Sequence, residues 1–378
     1  MAGTAGTPPG DATALNPPRA GSPTASAPAP SSGDPLLASS PPGGAPVAAA
    51  ATPAPAVSSP APAVDPEDQL EADGGESVRI PTHTHIGSSN YTASLSSSVI
   101  DYPEEYGRRF HAFRPGSYIM PNDDAEADRL DMIHALMVKS LRNRLYLAPL
   151  EKDKVHRILD IGTGTGIWAI EMGDFFPNAE VLGRSLKRFI RVPPNVKFEI
   201  DDVESTWVGE KKFDYIFCRY MACSIRDWPR LVRNIYNNLN PGGWAEFEDV
   251  SVEYYSDDGS YTPEHATYVW NKALVKALKD MGREPSPGPQ LEGWVREHGG
   301  FDRVCHEQIK CPIGLWPKDE HFKEVGMINV ASIIEGLEGF SLRVLCGVLG
   351  RTKEEVLVEL ASVRKELKTN AFHALLDM

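Results

Sequence analysis

The run Ile158-Leu159-Asp160-Ile161-Gly162-Thr163-Gly164-Thr165-Gly166 decides the fold of this chain. A short apolar strand reaches an acidic residue, breaks into a loop with glycine at alternate positions, and resumes as a helix at Ile167-Trp168-Ala169-Ile170. Glycine removes Cβ where a backbone must turn sharply and lie close to a ligand. Many nucleotide-binding folds do this, so Asp160 is the residue that discriminates among them. A dinucleotide brings its pyrophosphate to this turn, at a helix N-terminus, and a carboxylate just before the glycines would repel it. S-adenosylmethionine brings an ammonium and a sulfonium, which the same carboxylate attracts. The loop therefore reads as an S-adenosylmethionine site. A nicotinamide site is disfavoured further by the lack of a third glycine at the usual helix-packing spacing.

Outward from this loop the chain alternates strand and helix, the signature of an open parallel sheet with helices on both faces. Strands are predicted at 158–161, 180–183, 196–200, 213–218, 244–247 and around 304–309. The stretch after Asp214 is almost continuously apolar, as a strand buried on both faces should be. Helices are predicted at 168–176, 228–239, 264–281 and 290–298, and again through most of 319–367. Upstream, Pro121-Asn122-Asp123-Asp124 opens a further helix with acids in its first turn. Leu130, Ile133, His134, Met137 and Leu141 form its inner face, with Asp131, Lys139 and Arg142 toward water. The fold class is α/β and Rossmann-like.

Of the 378 residues, those from 1 to 78 are dominated by Ala, Pro, Ser and Gly, with Leu36-Leu37 the only adjacent large apolar pair. Such a segment buries too little surface to offset its ordering entropy and is expected to be a disordered tail. It has neither the Arg-rich pattern of a transit peptide nor the apolar core of a secretory signal. Residues 79–150 read as an N-terminal arm and helix packing on the core, and 151–378 as the catalytic domain with a helical C-terminal part. The net charge of −14 disfavours broad binding to nucleic acid, which needs Lys and Arg to displace counterions. A local basic patch at Arg184, Lys187, Arg188 and Arg191 is flanked by acids. The 5 cysteines are scattered without a CxxC pair, and the 10 histidines show no HExxH, so no metal is expected. The longest apolar candidate, 328–349, is interrupted by Glu335, Glu338 and Arg343 and is no membrane span. These features suit the cytoplasm or nucleus rather than secretion, and no clear basic run marks nuclear import.

Several later runs join the glycine loop: Val192-Pro193-Pro194-Asn195-Val196-Lys197-Phe198-Glu199-Ile200-Asp201-Asp202, Phe213-Asp214-Tyr215-Ile216, Ser224-Ile225-Arg226-Asp227-Trp228-Pro229 and Pro241-Gly242-Gly243-Trp244. With Pro121-Asn122-Asp123 and Asp128-Arg129-Leu130-Asp131, the chain resembles the fungal LaeA-like group of class I methyltransferases over roughly residues 90–370. The resemblance implies a seven-stranded methyltransferase sheet and methyl transfer from S-adenosylmethionine to a small-molecule acceptor or, as a weaker choice, a protein. It also implies a link to fungal secondary metabolism. The alternative it carries is a nuclear regulator with velvet-domain partners and weak or no catalysis.

Carried over by position, the resemblance puts Asp160, Gly162, Thr163, Gly164 and Gly166 around the methionine and ribose of the cofactor. Asp201 or Asp202 would sit near the adenine amino group, the bland alternative being a turn cap. Arg219 and Tyr220 would lie beside the methyl group, the alternative for Arg219 being a surface ion pair. Two departures stand out. An acid roughly twenty residues past the first glycines should grip the ribose hydroxyls; Ser185 stands there, at a cost of about ten- to hundredfold in affinity. The chain also stops at Leu375-Leu376-Asp377-Met378, so the final strand of the sheet is expected to be missing or replaced, leaving an edge exposed. Methyl transfer is an in-line displacement that demands no fixed triad. His111, His265 and His321 are candidate bases, though a lone histidine is more often structural. Tyr118 and Trp270 are candidate walls of an apolar acceptor pocket.

Overall fold

The computed structural model describes residues 102–111, 119–184, 192–207 and 211–378. The 1–78 tail, Tyr118 and Ser185 lie outside the described residues. Two short antiparallel strands, β1 (Glu104–Glu105) and β2 (Arg108–Arg109), precede α1 (Asp124–Ser140). Asp123 caps α1, accepting the N–H of Glu126 at 3.0 Å while Arg108 Nη2 donates to it at 2.7 Å. Leu141, placed in this helix from the sequence, is its C-cap.

The centre is a five-stranded parallel sheet ordered β5-β4-β3-β6-β7. Its strands are β3 (Arg157–Ile161), β4 (Glu180–Arg184), β5 (Val196–Glu199), β6 (Phe213–Arg219) and β7 (Leu239–Glu248). Alternation along β6 sorts the two faces. Tyr215 and Phe217 join Trp168 and Met172 of α2 (Ile167–Phe175), with Trp168 stacked on Phe217 at 3.9 Å. Ile216 and Cys218 join Trp228, Leu231 and Ile235 of α3 (Trp228–Asn237) on the opposite face. Helices thus cover both faces, as the strand–helix alternation requires.

A second core gathers α1 with α4 (Ala266–Asp280), α6 (Glu320–Ser341) and α7 (Lys353–Lys368); α5 (Gly288–His298) packs with α3 instead. A π-helical turn at Leu342–Cys346 follows α6. The strand expected around 304–309 forms slightly later, as β8 (Lys310–Ile313). The expectation of a missing final strand is corrected: β9 (Ala374–Asp377) is present and pairs antiparallel with β8. It also lies along the chain past β7, where Ser251 N–H donates to Asp377 O at 2.7 Å and Tyr255 and Leu375 exchange backbone bonds. The single seven-stranded sheet that the resemblance implies is corrected: five strands form the parallel sheet, and β8 and β9 form a separate antiparallel pair. Leu375 and Leu376 are buried in β9, an apolar pair too short to announce a strand from the sequence.

Candidate active site

A cavity of about 670 Å³ opens at the C-terminal ends of β3, β5 and β6 and runs inward beneath α1. Ligands of open α/β sheets bind at this edge because loops leave the strands there in opposite directions. Gly162 and Gly164 line it, with φ of +71° and +54°, and Gly166 caps α2 behind them at +81°. A Cβ on Gly162 would lie 2.2 Å from Met221 Sδ, whereas one on Gly164 would meet Leu130 Cδ1 at 3.6 Å and Gly162 O at 3.8 Å, both ordinary contacts. Leu130 belongs to α1, so this helix roofs the glycine loop. Thr165 Oγ1 fastens the roof by donating to Asp131 Oδ1 at 2.6 Å.

Asp160 does not itself line the cavity. It is buried behind the loop, where the Thr163 hydroxyl donates to it. Burial pushes its carboxyl up to about 7, against the opposing pull of the Thr163 bond and the Arg219 guanidinium. Asp201 and Asp202 line the cavity past β5 and also cap their turn: Asp201 accepts the N–H of Asp202 at 2.8 Å, and Asp202 that of Glu204 at 3.0 Å. The turn-cap reading of these acids is met, and both also face the cavity. Arg219 and Tyr220 line the cavity just beside the glycine loop, and Tyr220 holds a left-handed φ of 55°.

Several cavity residues escaped the sequence reading. Arg184, read as part of a surface basic patch, is buried at the end of β4, 3.3 Å from Asp201 and over the Trp207 ring. Arg129 is buried between Tyr220 and Phe340 and pairs with Glu126 through two bonds of 2.9 and 2.7 Å. His134 takes a bond from Arg219 Nη2 to its Nδ1 at 2.9 Å and sits 3.0 Å from Glu171 through Nε2. Arg219 lies 85 positions away from His134 in the chain, and no local spacing signals such a pair. Burial, with Arg219 beside it, lowers the His134 imidazole to about 4. Of the histidines proposed as bases, His111 lines the cavity, while His265 caps α4 and His321 opens α6, both away from it.

The inner half of the cavity is mostly apolar, with Asn271, Asn329 and Ser332 set among its apolar side chains. Ile133, Val250, Tyr254, Trp270, Leu274 and Ile333 face it, and Trp270 is the wall residue that the sequence reading named. The residues fit S-adenosylmethionine. The side of the loop at Gly164 has room for a close ligand, and Asp201 and Asp202 supply acceptors farther along, while Asp160 sets an acid behind the loop. The volume falls within the ~300–1,000 Å³ usual for cofactor and ligand pockets.

The fold and this strand-end cavity define a class I methyltransferase. The methyltransferase-domain family matches residues 131–302. A methyltransferase of Aspergillus terreus, pytC, is 46% identical over 287 residues, spanning 75% of this chain and 88% of that protein. The secondary metabolism regulator LAE1 of Cochliobolus heterostrophus is 35% identical over 278 residues, spanning 71% and 90%. The regulator laeA of Monascus pilosus is 32% identical over 307 residues, spanning 78% and 83%. The chain belongs to this LaeA-like family of fungal methyltransferases, whose methyl donor is S-adenosylmethionine.

Proposed function

We infer that the chain transfers the methyl group of S-adenosylmethionine to a small, largely apolar molecule of fungal secondary metabolism. The observation that carries this is the continuity of one cavity from the glycine loop into a compartment walled by Trp270, Tyr254, Leu274 and Ile333. A protein side chain at the mouth would have no use for that depth, whereas burying apolar acceptor surface contributes about 25 cal/mol per Å².

When bound, the cofactor supplies an activated methyl carbon whose C–S bonding pair leaves with neutral sulfur. In this reading Gly162 and Gly164 admit the methionine part, Asp160 acts on its ammonium through space from behind the loop, and Asp201 or Asp202 accepts from the adenine amino group. Tyr220 stands where cofactor and acceptor meet. The apolar walls orient the acceptor's nucleophilic atom in line and exclude water, which is the main source of acceleration for such a displacement. His134 is not the base: Nδ1 accepts from Arg219, so Nε2 carries the proton and donates to Glu171.

The test is incubation with methyl-tritiated cofactor and two acceptor sets, apolar phenols, acids and amines from a fungal culture extract, or total fungal protein. Label in the organic extract supports the reading, and label in protein alone overturns it. A regulatory role, with assembly on velvet-domain partners in the nucleus, is the second reading, favoured by the regulators at 35% and 32% identity. Co-purification with a velvet-domain protein from nuclear extract, by wild type and by a variant unable to bind the cofactor, would establish it.

A further inference from the structure

S-adenosylmethionine carries a carboxylate next to its ammonium, and both must find partners in the cavity. Among the described residues, arginines at the cavity are engaged in different ways. Arg129 is held bidentately by Glu126, and Arg184 is ion-paired with Asp201 toward the far end. The backbone of Arg226 is tied to Glu204, also toward the Asp201 end, and Arg230 follows it one turn on. Arg219 is the one placed against the glycine loop, since β6 pairs with β3 so that Cys218 stands beside Ile161. It is half-buried and lines the cavity.

What aims its guanidinium is a chain of groups from three elements. Glu171 of α2 accepts from His134 Nε2–H at 3.0 Å, and this fixes the imidazole in the tautomer whose Nδ1 is an acceptor. His134 of α1 then receives Arg219 Nη2–H at 2.9 Å. Glu248 of β7 and Asp160 of β3 act on Arg219 through space, and burial pushes both carboxyls up toward their neutral form. A guanidinium has five N–H donors, so the bond to His134 leaves others to face the cavity. A neutral histidine suits this task better than a carboxylate, because it orients the arginine without cancelling its charge. The lowered imidazole value of about 4 keeps His134 in that neutral form at physiological pH.

We propose that His134 is a positioning residue that, through Arg219, builds the subsite for the carboxylate of the methyl donor. The inference rests on the chain binding S-adenosylmethionine at the glycine loop, and goes beyond it by naming which group of the donor is read and by what. The placement of α1 over the loop is what sets His134 against Arg219.

The test compares binding of S-adenosylmethionine with its decarboxylated analogue, which keeps the ammonium, sulfonium and adenosine. The parent protein should prefer the carboxylate form by about tenfold or more, the value of one charged hydrogen bond. His134→Ala should erase that preference by weakening S-adenosylmethionine alone. His134→Gln, whose amide oxygen can accept from Arg219, should restore most of it. Glu171→Ala changes a half-exposed residue, so folding is safe there, and should cost S-adenosylmethionine several-fold while sparing the analogue. Equal losses of both ligands, or no loss in Glu171→Ala and in His134→Ala, would overturn the subsite while leaving the cofactor site in place. Failure of the parent protein to bind either ligand would overturn both.

Discussion

Asp249, the residue after β7, accepts the backbone N–H of Met221 at 2.7 Å and that of Ala222 at 3.2 Å. These bonds brace the turn that leaves β6 for the cavity, where Tyr220 and Cys223 hold left-handed φ values of 55° and 64°. Non-glycine residues in that region cost about 1–3 kcal/mol each and persist only where surroundings hold them. The carboxylate therefore converts a strained turn into a fixed wall of the site.

Asp249→Ala should lower stability by about 2–4 kcal/mol, since it leaves buried backbone donors unpaired and releases the turn. Urea unfolding should show the midpoint falling at constant slope. An unchanged midpoint would mean that the turn is held by packing instead.

Binding of the cofactor should depend on pH through Asp160. Its folded value is raised to about 7 from the ordinary 3.8. The stability this group contributes is complete below about 4 and is lost as pH climbs through about 7, because only the folded state keeps the proton across that window. A cationic ligand favours the ionised form, so affinity should rise up to about tenfold per unit below pH 7 and level off above. Thr163 and Arg219 face the same carboxyl and are already counted in its value. Calorimetry at pH 6 and 8, in buffers of different ionisation enthalpy, should detect a proton released on binding at the lower pH. Asp160→Asn should flatten the profile; a slope surviving in that variant would assign it to another group.

The parallel sheet was legible because its causes are local: apolar strands, glycine turns and amphipathic helices announce themselves within a few residues. The glycine loop and Asp160 belong to that legible part. Arg129, Arg184 and His134 were not, because each is defined by what it meets after folding. The sequence shows Arg129 only as part of a motif, and its role is defined by Glu126, Tyr220 and Phe340, which close around it. β9 was missed for a related reason, since its pairing with β8 joins segments whose strand character is only 4 residues long. Trp270 could be named as a wall because a large ring on an apolar helix face seeks the interior wherever that interior lies.

Gly164→Val should abolish cofactor binding while the domain remains folded. The backbone there has φ of +54°, and a β-branched residue adopts it only under strain. The neighbouring space is open apart from Leu130 at 3.6 Å and Gly162 O at 3.8 Å, so the added methyls would enter the cavity rather than break the core. Gly162→Ala should be less tolerated by the fold, because its Cβ would collide with Met221 Sδ. Circular dichroism and ligand titration on both variants separate the effects. Retained affinity in Gly164→Val would remove the loop from the site.

Filling the inner compartment should separate acceptor binding from cofactor binding. Leu274 lies one helical turn beyond Trp270 on α4, and both face the cavity. Leu274→Trp places a second indole in that space, at an overpacking cost of about 1–3 kcal/mol. Cofactor affinity should stay within about twofold, since the glycine loop lies at the other end. Turnover of apolar acceptors should fall by about tenfold or more, through a raised acceptor KM for ligands that still fit and a lost kcat for those that do not. Product measured as S-adenosylhomocysteine release gives both constants. A protein acceptor docking only at the cavity mouth would be methylated as before, so undiminished labelling of protein together with unchanged small-molecule turnover would show that the compartment does not hold the acceptor.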